Sequence, residues 1–365
     1  MISSEQTKAE RSGQRSSADV RRNTITSSGT EDLVAALFGI LIVVALYLDG
    51  RAHVLGLPDS FFTPWHAFLY GGLLLLIAWL AVISRRAATR HRLARVAVIP
   101  AGYGYAVVGA GLFTVGGVSD LIWHQIFGVE FGLDALLSPT HLLLFVGGAL
   151  MLTGPVRAFH GPAVRLTMVT RVSATLAVLG ITAIAAFALS FLSGFITDSA
   201  TFAVGRAPSG TEAHILAESL AEAGLGSYVI TTLVLVIPLV YLERLRLATV
   251  GTTSLLVTSI ALLATTLENF QNTGIVIAAF GAAALTDVAL LALRRVHVSL
   301  RAQELALAAL LPLLLWSGQL LVTNMTQGVL WSLEMVTGVV IVSALAAFAA
   351  VFVLGPVPTT ETNVP

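Results

Sequence analysis

The chain has 365 residues, of which 56% are hydrophobic and only 11% charged, and its mean hydropathy is +0.89; a soluble domain carries about twice that share of charge. So few polar groups cannot cover a water-facing surface, and the composition is that of a polytopic protein whose main partner is the lipid bilayer. Net charge is zero and cysteine is absent, which excludes nucleic acid as a charge-held partner, and with it disulfides, thiolate metal sites and a cysteine nucleophile.

Residues 1–30 are polar and basic, with no apolar run before Leu33. That is too long and too polar for the n-region of a cleaved signal peptide. The reading is a disordered cytoplasmic tail, held inside by Arg11, Arg15, Arg21 and Arg22. Crossing about 30 Å of hydrocarbon takes about 20 apolar residues as helix. By that rule ten spans are expected, at 32–50, 65–84, 96–122, 140–156, 168–196, 225–242, 250–267, 273–293, 304–323 and 329–354.

The basic residues orient them. Arg85, Arg86, Arg90, Arg92 and Arg95 follow the second span, and Arg157 and Arg165 the fourth. Arg244 and Arg246 follow the sixth, and Arg294, Arg295 and Arg301 the eighth; the alternate connections hold only Arg51 and Arg206. The positive-inside rule then places both termini in the cytoplasm. The expected fold is an all-α transmembrane bundle in a cell membrane. Residues 31–160 form a four-span half, 161–355 a six-span half with an outer loop helix near 210–223, and 356–365 a second cytoplasmic tail.

Within the first half one phrase occurs twice. Asp49, His53, Pro64, His66, Gly71 and Gly72 are answered about seventy residues later by Asp120, His124, Pro139, His141, Gly147 and Gly148. Tryptophan adjoins a histidine in each copy, as Trp65–His66 and Trp123–His124. This is the pattern of a duplicated two-helix hairpin. Asp and His at i and i+4 share one helix face, and a proline near the next helix start costs that helix no hydrogen bond. A short loop then brings the third residue to the first two. Each hairpin offers one carboxylate and two imidazoles on the extracytoplasmic side, a three-ligand metal site with an open position.

A single Asp-x3-His is most simply a polar pair at a helix end. Two matching copies beside hydrocarbon, where ionisable groups are costly and usually functional, weigh toward metal. Imidazole and carboxylate without thiolate suit copper, zinc or iron. Glu130 and Asp134 are further ligands, hydrogen-bonding neighbours of the histidines or solvated side chains, the last being the reading for Asp134. His91, His160 and His297 fall in basic loops and read as surface residues.

On these residues the chain resembles the C subunit of the copper membrane monooxygenases, the particulate methane and ammonia monooxygenases. That subunit carries Asp-x3-His-x12-His, the spacing of Asp49, His53 and His66. Its neighbouring site begins Asn-x3-His; here Asp120 stands in the Asn position, followed by His124, and the last histidine, His141, comes later. The resemblance covers about residues 46–150. It implies copper at the triads and, by extension, oxygenase chemistry and other membrane subunits as partners. Ten spans exceed the family's C subunit, and the last six have no counterpart in it.

Later in the chain, Ser209 and Glu212 read as a capping box opening a short helix, with His214, Glu218 and Glu222 along one stripe, a lid or a solvated face. Glu268, Asn269, Gln271 and Asn272 lie at the outer end of spans seven and eight, and Gln319, Asn324 and Glu334 in spans nine and ten and their junction. Three functions follow: a copper-binding, monooxygenase-like oxidoreductase or its metal-binding subunit; a transition-metal or ion transporter or homeostasis protein, with a path through Asp287, Glu334 and Glu268; or a scaffold whose polar pairs fix helix packing. No nucleotide-binding loop is present, which argues against an ATP-driven pump. The polarity of spans one to four is gathered at one end, which favours a fixed site over a conduit.

Overall fold

A computed structural model describes residues 25–57, 63–90, 98–128, 130, 132–159, 166–205 and 207–355. Both expected tails fall largely outside these residues, as do His91, Arg92, Arg95, His160, Arg165 and Arg206. Among the described residues every regular element is helical: α1 (Gly29–Val54), α2 (Pro64–Arg90), α3 (Gly104–Phe127), α4 (Leu133–Leu137), α5 (Pro139–Leu152), α6 (Gly154–Ala158), α7 (Met168–Ala188), α8 (Glu212–Arg244), α9 (Thr252–Leu267), α10 (Thr273–Arg295), α11 (Leu300–Thr326) and α12 (Leu333–Val353). Counting α5 and α6 together, nine stretches among the described residues are long and apolar enough to cross a membrane. The expected seventh span, α9, is apolar but has only 16 residues, about 24 Å of helix.

Three boundaries differ most from the sequence reading. The third span starts at Gly104 rather than 96, because Pro100 and Gly102 hold the preceding chain out of helix. Gly102 has φ +92°, and a Cβ there would sit 2.3 Å from the Ala158 nitrogen. The loop helix at 210–223 and the span at 225–242 are one 33-residue helix, α8, whose N-cap is Thr211 and not Ser209. The fifth span ends at Ala188 rather than 196.

Beyond Ala188 the chain leaves helical geometry inside the protein, through two 3-10 turns at Ser190–Leu192 and Ser199–Thr201. Irregular backbone is tolerated beside lipid only where its polar groups are satisfied internally. Gly194 meets that condition: its N–H donates to Thr231 Oγ1 at 2.7 Å, and its carbonyl accepts from Gln319 Nε2.

Two apolar clusters hold the bundle, and α1 belongs to both. Ala35, Ile42 and Ala45 pack with α2, α3 and α5, while Val43 and Tyr47 pack with α7 and the later helices. Tyr47 also donates to the Ala183 carbonyl at 3.0 Å, tying α1 to α7. A glycine of the repeated Gly-Gly lies at a tight helix contact in each hairpin. A Cβ on Gly147 would lie 2.6 Å from the Phe113 nitrogen, and one on Gly109 2.4 Å from the Met151 nitrogen, so α3 and α5 cross backbone to backbone. A Cβ on Gly72 would lie 2.8 Å from Ile42 Cγ1, seating α2 on α1. Small residues permit such approaches where no hydrophobic force drives helices together.

Candidate metal centre

These crossings bring the end of one helix to the start of the next in each hairpin. Asp49 and His53 leave the last turns of α1 and meet His66 at the start of α2; Asp120 and His124 from α3 meet His141 at the start of α5. In both triads one ligand atom from each residue lies within 4.8 Å of the other two. His66 Nε2 is 3.1 Å and His53 Nε2 3.8 Å from Asp49 Oδ1. His124 Nε2 is 3.4 Å from Asp120 Oδ2, and His141 Nε2 3.4 Å from Asp120 Oδ1. All six expected ligands are therefore assembled, three by three.

The hydrogen bonds behind the second triad set its tautomers. His124 Nδ1 donates to the Gly128 carbonyl at 3.0 Å, and His141 Nδ1 to the Ala135 carbonyl. A carbonyl only accepts, so each Nδ1 carries a proton and each Nε2 is left facing Asp120. Asp120 is buried and accepts from Thr140 Oγ1 at 2.7 Å. In the first triad Thr63 Oγ1 lies 3.0 Å from His66 Nδ1. Asp49 Oδ1 is buried and, despite His66 nearby, receives no aligned hydrogen bond.

Thr63 and Thr140 were not picked out by sequence reasoning, nor was Ser138, the N-cap of α5, which accepts from the His141 N–H. A signal existed: the repeated unit is hydroxyl-Pro-x-His, Thr63 to His66 and Ser138 to His141. Glu130 stands apart from the ligand atoms. Its Oε1 accepts from Trp123 Nε1 at 2.5 Å, one residue before His124.

Both triads open on one cavity of about 1000 Å³. Asp49, His53, His66, Asp120 and His141 line it, and its walls are otherwise largely apolar, with Ile42, Leu46, Phe113, Leu144, Phe145 and Phe187 among them. Glu268, Asn269 and Gln271 reach it from the α9–α10 turn. Asp287, Glu334 and Glu268 do not form a path. Asp287 caps the start of α9 through the Ser254 N–H and hydroxyl, at 2.9 and 2.7 Å, and Glu334 is exposed at the start of α12. His214 pairs with Glu218 at 3.3 Å on an exposed stretch of α8.

Comparison with protein-family models, with curated proteins and with solved structures finds no match for this chain. The class it belongs to is accordingly stated from fold and site: a polytopic helical membrane protein carrying two Asp-His-His clusters with metal-ligand spacing.

Proposed function

We propose that this protein is an integral membrane metalloprotein that holds two transition-metal ions, one at Asp49, His53 and His66 and one at Asp120, His124 and His141. The observation that carries this reading is the donor spacing. Metal–nitrogen and metal–oxygen bonds of about 2.0–2.2 Å in tetrahedral array separate neighbouring donors by about 3.4 Å. The Asp–His separations of 3.1–3.8 Å in both triads bracket that value. Imidazole and carboxylate donors suit copper, zinc and iron, and copper(II) forms the most stable complexes of these with such ligands. Copper is the metal proposed, in keeping with the resemblance to the copper membrane monooxygenases.

Three protein ligands would leave a coordination position for another molecule, and both triads adjoin a largely apolar cavity. The finer proposal is a monooxygenase-like oxidoreductase, or the metal-binding subunit of one, acting on a small apolar molecule that reaches the cavity from the bilayer. When bound, the metal would supply Lewis acidity and redox chemistry there. Arg90, Arg157, Arg244, Arg294 and Arg301 all lie at the opposite helix ends, so by the positive-inside rule the cavity faces the extracytoplasmic side of the cell membrane.

The test is metal analysis of detergent-purified protein, wild type beside His53→Ala and His124→Ala. Retention of about two copper equivalents, with each substitution removing about one, supports the reading. Protein that holds no copper, zinc or iron after loading would overturn it.

A further inference from the structure

The last six spans have no part in either triad, yet one turn of theirs enters the same cavity. Glu268 ends α9 and lines the cavity, and the two residues after it, Asn269 and Phe270, have φ of +54° and +60°. Non-glycine residues hold left-handed conformations only where surrounding contacts over-determine them. Those contacts are present. Arg51, which lies between Asp49 and His53 in α1, donates to Asn269 Oδ1 and stacks on the Phe270 ring 5.7 Å from its centroid. On the other side Asn272 Nδ2 donates to Glu268 Oε2 at 3.2 Å, and Asn272 is itself held by Gln327 Nε2. Glu268 is thus fixed from α1, α10 and α11 together.

We infer that Glu268 is the proton-exchanging group of this cavity, supplied by the six-helix half to the centres built by the first four spans. The argument is partly by elimination. Among the described residues, of the acidic and imidazole side chains lining the cavity, Asp49, Asp120, His53, His66 and His141 are gathered into the triads, and Glu268 remains. A ligand bound among apolar walls cannot exchange protons with bulk water directly, so a titratable side chain at the cavity wall must relay them. The step moves no electrons. The Glu268 carboxylate takes a proton from an O–H of water or a hydroxylated molecule in the cavity, becomes the neutral acid, and releases the proton to water at the exposed Gln271 side of the turn. Burial pushes the Glu268 carboxyl above its ordinary range; the Asn272 hydrogen bond opposes that and the Asp198 carboxylate adds to it. The charged or titratable groups around it are Asp198 from the segment after α7, Arg51 from α1, and Asp49, His53 and His66 across the cavity.

This inference rests on the two-centre reading, and two measurements separate their failures. The first loads full-length protein with copper(II) and follows its electron paramagnetic resonance spectrum with pH, in wild type, Glu268→Gln and Glu268→Asp. Expected are equal copper content in all three, a pH-dependent spectral transition in wild type, its loss in Glu268→Gln, and its return at a shifted midpoint in Glu268→Asp. Equal copper content with the transition intact in Glu268→Gln overturns the role of Glu268 and leaves the metal centres standing. The second is an infrared titration of the carboxylic C=O stretch in copper-free protein, wild type minus Glu268→Gln. A midpoint raised above that of an ordinary glutamate supports the assignment even where no copper binds, the outcome that sinks the metal reading alone. A midpoint in the ordinary range, that of a solvated carboxylate, overturns it.

Discussion

The two ends of the bundle treat buried carboxylates in opposite ways. At the end away from the cavity three are answered by arginine, while Asp32 and Asp287 are held by hydroxyls and backbone N–H groups. Glu304, 1% exposed, is gripped by Arg244 through two nitrogens at 3.0 Å and by Arg301 at 3.2 Å; Glu31 pairs with Arg90 at 2.9 Å, and Glu243 with Arg294. Arg244 and Arg301 also hold the carbonyls that end α12. At the cavity end Asp49 and Asp120 face imidazoles, and Arg51 turns away to Asn269 and Phe270. A carboxylate out of water needs hydrogen bonds or a compensating charge. One end supplies arginine to most of its carboxylates; the other supplies imidazoles.

The sharpest way to break this contrast is to remove ligands. His66→Ala should empty the first centre and His141→Ala the second, each weakening copper binding at its own site by more than about a hundredfold while sparing the other. Titration with a competing chelator reads this directly; joint loss from either change would mean the triads are not separate sites. Next in size is Glu304→Ala, which leaves Arg244 and Arg301 without their partner. It should cost about 3–5 kcal/mol of stability in denaturant unfolding and leave the copper content of the folded fraction unchanged. Copper loss there would show that the two ends are not independent.

Smaller effects sharpen the picture. Thr140→Val removes the hydroxyl that orients Asp120 and should weaken copper at the second centre about tenfold, with the first unaffected. The smallest effect concerns pH. Because burial raises the Glu268 pKa, the folded protein keeps this proton where the unfolded chain has lost it. Stability therefore falls as pH rises from the ordinary glutamate range through the raised value. Unfolding of Glu268→Gln in the same series should lack that component of the slope.

Much of the site was legible because helical spacing is local information. Asp-x3-His places two donors on one face in any α-helix, and the proline before each final histidine marks a helix start. The loop-helix boundary failed for the complementary reason: polar residues 212–223 run into apolar ones without a helix break, and polarity alone marks where water ends, not where a helix does. The end of α7 was equally hidden. The chain beyond it is held at Gly194 by contacts with Thr231 and Gln319, residues far away in the chain.

The sequence alone determined a helical membrane protein and two triads of donors, since hydropathy and helical period need only neighbours to be read. Tertiary structure decided that both triads share one apolar cavity and that Glu268 enters it. Arg51 and Asn269 are 218 positions apart, and no periodicity connects them. Their meeting depends on how α1 packs against the later helices, and close packing across such distances is settled by the shapes of many side chains together.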